Sequence, residues 1–176
     1  VLTGSMLAPS ESVIAEAMEV STLRQNKVRG WMTRQLDNEE SDIHQERHNA
    51  EADLLVIMHG PLSGATSGQA RVTSGDEALD YERSHAAVTW SSSNTFAHEI
   101  GHLFGAEHDE YRLESVNVTP NTAYGQGYVD VEAGFRTMMA YAGACTDADV
   151  SCSRVPLFSN PNIEKEGAVI GDQSSA

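Results

Sequence analysis

His98-Glu99-Ile100-Gly101-His102-Leu103-Phe104-Gly105-Ala106-Glu107-His108 carries three imidazoles and a carboxylate at a spacing that suits one metal ion. Residues four apart share a helix face, so His98 and His102 can offer nitrogens to the same ion. Glu99 lies one turn from His102 and can reach a water on the open side of that ion. Gly105 is expected to leave the helix in a left-handed conformation, as glycines beyond helix ends commonly do. That reversal brings His108 back as a third ligand. Five fixed residues at these offsets arise by chance on the order of once in ten thousand chains of this size. An amphipathic helix with satisfied surface histidines is therefore the weaker reading.

The ligand set points to a reaction. Three protein ligands leave a tetrahedral Zn2+ one open position, the mark of a catalytic rather than a closed structural site. A water held there ionises near neutrality. Glu99 would act as general base towards that water and then as general acid towards the departing amine. The expected chemistry is amide hydrolysis without a covalent enzyme intermediate.

The spacing resembles the long zinc signature of the metzincin clan of zinc endopeptidases. Thr137-Met138-Met139-Ala140-Tyr141 resembles the tight turn that places a methionine under the metal in that clan. The resemblance implies that Met139 supports the site, as Gly105 does. It also implies that Tyr141 assists as a further metal neighbour and oxyanion donor, although a plain packing tyrosine is an equal alternative. The implied fold is α/β (α+β), a twisted mixed sheet with an active-site helix and a C-terminal subdomain after the signature. Residues 1–176 read as one catalytic domain, with an N-terminal subdomain over about 1–105 and a C-terminal one over about 106–176.

A narrower resemblance runs from Asp53 to Ile163. Ala52–Met58 reads as a buried strand, Gly68–Val72 as an edge strand and Ser84–Trp90 as a third, ahead of the zinc helix. Asp109 follows the last histidine, and Cys145, Cys152-Ser153-Arg154-Val155 and Phe158-Ser159-Asn160-Pro161 follow the methionine turn. This order is similar to the bacterial reprolysin-like and peptidyl-Asp metalloendopeptidase group. In that group an extended substrate is expected to pair with the edge strand around Ala70. An acidic substrate residue would need a cation, and Arg154 and Arg136 are the nearby basic residues. Thr146-Asp147-Ala148-Asp149 is acidic and would repel such a substrate unless Arg154 points inward. Family chains continue beyond the Phe-Ser-Asn-Pro segment, so the sequence reads as a trimmed catalytic domain.

Charge narrows the partners. The 176 residues hold 11 Lys plus Arg against 26 Asp plus Glu, a formal net charge of −15. Nucleic acid and anionic membranes need basic patches and are excluded as expected partners. No apolar run is long enough to span a bilayer. The first residues lack the basic and apolar regions of a signal peptide, so the sequence reads as a mature, secreted form acting as a monomer on protein or peptide substrates. Cys145 and Cys152, the only cysteines, are expected to form a disulfide beside the methionine turn, with two buried thiols as the alternative.

Elsewhere, Val1–Leu7 suggests a weak strand, Ser10 caps a helix and Asn26–Leu36 has mixed strand character. Asp37–Ala50 is polar and helix-compatible. Tyr111–Arg136 should be mostly loop. His44 and His48, four apart, read as a solvated helix face rather than half a metal site. Asn117-Val118-Thr119 reads as an ordinary loop despite its glycosylation pattern. Glu107, Asp109, Glu110, Asp130 and Glu132 offer oxygens of the kind Ca2+ takes, but without a calcium-loop pattern they read as solvated acids. The leading function is a secreted zinc endopeptidase. Its alternative is a catalytically latent zinc-binding or interaction module of the same fold, which would have no use for Glu99.

Overall fold

A computed structural model describes residues 42–59, 67–70, 72, 85–89, 93–120 and 125–172. The two strands expected at Val1–Leu7 and Asn26–Leu36 and the helix after Ser10 lie outside them. Helix α1 (Asp42–Asn49) leads into β1 (Leu55–His59), followed by β2 (Gly68–Ala70) and β3 (His85–Thr89). β3 runs between the other two, parallel to β1 and antiparallel to β2. Its Ala86, Ala87 and Val88 are buried. Their small side chains let helix α2 (Ser93–Leu103) lie across β3 and β2. The sheet is therefore the floor that holds α2 in place.

Two expectations change here. β1 is half-buried rather than buried, and Met58 is exposed. Among the described residues β1 pairs only with β3. His44 is fully buried, not solvated, and its ring meets that of His85 edge-on at 5.8 Å between centroids. Arg47 is buried beside it and donates to the Ala52 and Asp53 carbonyls, closing the turn between α1 and β1. Apart from the buried Ile43, α1 is polar, so its sequence shows no clear inner face.

After α2 the chain forms α3 (Glu110–Ser115), β4 (Val129–Asp130), β5 (Phe135–Arg136), α4 (Gly143–Asp147) and β6 (Ser153–Arg154). β7 (Asn160–Lys165) and β8 (Ala168–Ile170) close the described part as an antiparallel pair. α3 was expected as loop. Asp109 nucleates it by accepting from the Arg112 N–H at 3.1 Å, and only Leu113 is buried among its residues. An aspartate before Glu-Tyr-Arg was a readable cap signal. β5 lies between β4 and β6 and pairs in parallel with β6, Arg136 opposite Arg154. Phe135, Val155 and Ile170 make the local core, with Tyr128 and Ala168 against it.

Cys145 and Cys152 are bonded and tie α4 to the strand that carries Arg154. Closing so short a loop stabilises by about 2.5 kcal/mol on the chain-entropy estimate. Replacing both cysteines by serine should therefore lower unfolding free energy by up to about that amount. A denaturant midpoint identical to that of the parent would contradict this.

Candidate metal centre and active site

The zinc-signature helix ends as its sequence suggests. Gly105 has φ +85°, its N–H donates to the His102 carbonyl at 2.9 Å, and the Ala106 N–H donates to Gly101, also at 2.9 Å. This paired closure turns the chain sharply and returns His108 to the helix. Glu107 then bridges to Gln126, which holds the returning segment against the next loop.

Each helical imidazole is oriented by a backbone carbonyl. His98 Nδ1 lies 3.0 Å from the Met138 oxygen and His102 Nδ1 lies 2.7 Å from the Ala106 oxygen. A carbonyl only accepts, so each Nδ1 carries the proton and each Nε2 keeps a lone pair. Those Nε2 atoms each lie 3.2 Å from His108 Nε2. Nitrogens bound at 2.0–2.1 Å to a tetrahedral ion would stand about 3.3–3.4 Å apart. The cradle thus fits one metal ion. Among the described residues these three histidines are the only such group of three or more potential ligands.

Burial keeps the imidazoles neutral. It lowers the pKa of His98, takes that of His102 to about 4 and that of His108 to about 3. Neighbouring rings add to the last two shifts, and nearby Arg154 opposes charge on His98 and His108. Glu99 is also buried, which raises its pKa to about 7 against the opposing effect of the Ala70 N–H donated to it. β2 approaches Glu99 so closely that a Cβ at Gly68 would stand 2.5 Å from Glu99 Oε1. Since the Ala70 N–H is taken up by Glu99, any substrate pairing at this residue has to use its carbonyl or its neighbours.

The methionine turn sits under the helix. A Cβ at Gly101 would lie 2.7 Å from Met139 Sδ, so that sulfur fills the space a side chain would take. Ala140 N–H closes the turn onto Thr137 O at 3.1 Å, and Met138 N–H donates to Leu157 O at 2.8 Å. Tyr141 projects its ring edge-on to that of His108, 4.7 Å between centroids, with the Arg112 guanidinium 5.3 Å from its own centroid. Arg154 points inward and donates to the Ala140 oxygen at 3.0 Å, while Asp147 faces outward and accepts from the Tyr111 hydroxyl.

Residues 12–109 match the family described as Metallo-peptidase family M12B Reprolysin-like. The chain belongs to this family. Among curated proteins it is similar to the peptidyl-Asp metalloendopeptidase of Stenotrophomonas maltophilia, with 37% identity over 142 residues, covering 76% of this chain and 30% of that protein. The Xanthomonas campestris pv. campestris protein of the same name is 34% identical over 139 residues, covering 76% of this chain and 29% of its own. The chain thus spans about a third of the length of these relatives. A solved "Structure of a chaperone-substrate complex" shares the fold at a TM-score of 0.55 and 14% identity, covering 88% of this chain and 22% of that one.

Asp109 is the residue of this reprolysin-like site whose importance the sequence understated. It is buried rather than solvated, and its second oxygen accepts the Tyr141 N–H at 2.7 Å. One carboxylate therefore caps α3 and ties the methionine turn to the segment carrying His108. Glu107 is likewise buried. The position of Asp109 directly after the last ligand was the available signal.

The imidazole shifts have a consequence for the metal-free protein. Their folded-state values of about 4 and about 3 lie below the ordinary 6.5, so the unfolded chain takes up these protons first as pH falls. Their contribution to stability is complete above about pH 6.5 and is lost towards pH 3. Glu99 acts with the opposite sign, its contribution falling as pH rises from 4.5 through about 7, but it is one group against three. Chelator-treated protein should show a falling denaturant midpoint between pH 6.5 and pH 4. A flat profile would contradict burial of neutral imidazoles.

Proposed function

We propose that this chain is the catalytic part of a secreted zinc endopeptidase that hydrolyses peptide bonds with Glu99 as general base. The carrying observation is the convergence of three Nε2 atoms, two of them from the helix that also carries the buried carboxylate of Glu99. His98, His102 and His108 would hold Zn2+, which suits three imidazole ligands in a site of this size. Bound there, zinc would supply Lewis acidity and make water ionisable near neutrality.

Glu99 performs the proton transfers. Its carboxylate takes a proton from the attacking water and returns it to the amine nitrogen as the C–N bond breaks. A pKa near 7, set by burial, lets the same group accept and release that proton at neutral pH. Tyr141 donates its phenolic O–H to the developing oxyanion, and β2 lines up the extended substrate. Met139 and Gly105 keep the ligand geometry. The relatives are named for Asp, and the inward-pointing Arg154 is the cation proposed to meet an acidic substrate residue. We place the boundary between the two subdomains at the Gly105 bend. The disulfide favours an oxidising, extracellular setting for a protein acting as a monomer.

Replacing Glu99 by Gln should reduce kcat at least about a hundredfold, the usual range for a lost general base, while bound zinc stays stoichiometric. Unchanged turnover would remove Glu99 from the mechanism. Gly68→Ala pushes β2 against Glu99 and should lower kcat about tenfold or more, since small misplacements are costly near a reacting group. Zinc content should not change in this variant, and full activity would show that β2 does not position Glu99.

A further inference from the structure

The Ala140 carbonyl is held in a way that the metal site does not explain by itself. Ala140 is fully buried, so its oxygen cannot turn to water. Two guanidinium groups converge on it: Arg136 Nη1 at 2.8 Å and Arg154 Nη2 at 3.0 Å. Two donors saturate the two lone pairs of one carbonyl. They come from directly opposed positions of paired parallel strands, Arg136 of β5 and Arg154 of β6.

Like charges placed side by side repel one another. Among the described residues no ion pair joins either arginine to a carboxylate, and the Nε of each lacks a partner. Asp109 is near enough to favour the charge on Arg136, but its oxygens already accept from Arg112 and Tyr141. A pairing that holds two half-buried cations together needs a return. Its location suggests what that is. Met138, two residues before, offers its oxygen to His98, and Tyr141, one residue after, is tied to Asp109. The Ala140 carbonyl and the Tyr141 N–H belong to one peptide unit, held by the arginines at one end and by Asp109 at the other, and the turn carries that restraint back to Met138.

We propose that Arg136 and Arg154 are a joint pair of positioning residues, a two-sided clamp on the Ala140 carbonyl that fixes the orientation of His98 and of the Tyr141 ring. The proposal rests on the metal-site reading but not on turnover. Either guanidinium alone holds the carbonyl, whereas loss of both leaves its peptide unit tied only through the Tyr141 N–H on Asp109. The disulfide sits two residues before Arg154 and anchors the outer jaw.

The test compares Arg136→Met, Arg154→Met and the double variant, in metal-free and zinc-loaded full chain. Zinc release to a competing chelator is followed together with the NMR resonance of the His98 Nδ1 proton. The clamp predicts release rates within about threefold of the parent for each single variant and at least thirtyfold faster for the double, a non-additivity expected of groups sharing one partner. The His98 proton should shift or broaden in the double variant even without metal. Arg136→Lys in the Arg154→Met background should restore most of the lost zinc retention.

For cleavage by the double variant, kcat should fall to the same degree for peptides that differ only by Asp or Asn next to the scissile bond, while a rise in KM confined to the Asp peptide reports the separate substrate contact proposed for Arg154. A fall in kcat confined to the Asp peptide would assign the arginines to substrate binding alone and overturn the clamp. Parent-like zinc release and His98 resonance in the double variant would also overturn it. Should the double variant not fold, the single variants decide: each should keep the parent His98 resonance and release zinc within about threefold of the parent rate. A displaced resonance or a large loss in either one overturns a shared clamp. Zinc retention that follows the prediction without any peptide cleavage would sink the protease reading and leave the clamp standing.

Discussion

Three neutral imidazoles bring their Nε2 atoms to one place, with His98 and His102 each 3.2 Å from His108, and the surrounding contacts serve to hold them there. The Nε2 lone pairs of His98 and His102 both face that place, which is unfavourable until a proton or a cation joins them. Each orientation therefore needs a restraint. For His98 and His102 that restraint is a backbone carbonyl, from Met138 and Ala106 respectively. The Gly105 reversal supplies the second carbonyl and returns His108. The methionine turn supplies the first and fills the space below Gly101.

From this constraint the roles of more distant parts follow. β3 and β2 hold α2 from one side, and β2 comes close enough to bond Glu99. From the other side the small C-terminal sheet holds the turn through Arg136 and Arg154. Asp109 links the two halves by joining α3 to Tyr141. Glu99, His98 and His102 thus share one helix, His108 returns to it beyond Gly105, and the precision of the group depends on elements from both sides of that bend.

What could be read in advance was local. His98, Glu99, His102 and Gly105 follow from helix periodicity and helix termination, each of which a single segment displays. Met139 came through resemblance in spacing, and the disulfide through the presence of just two cysteines seven residues apart. Asp109, Arg136 and His44 were misjudged or passed over for a common reason: their burial is decided by partners far along the chain. Charged and polar residues are mostly solvated, so nothing local marks the exceptions. The pairing of Arg136 with Arg154 depends on a parallel register between strands whose partners lie 18 residues apart, with only two residues in each strand. Short strands of this kind carry no periodic signal. α3 was similarly hidden because it buries one leucine, although its aspartate cap was visible.

The most direct measurement is cleavage of a mixed, denatured protein substrate, with and without a chelator, and with the new termini read by mass spectrometry. The account predicts internal cleavage that the chelator abolishes and added zinc restores. Cleavage that persists in the metal-free protein, or none from protein carrying one zinc per chain, would contradict it.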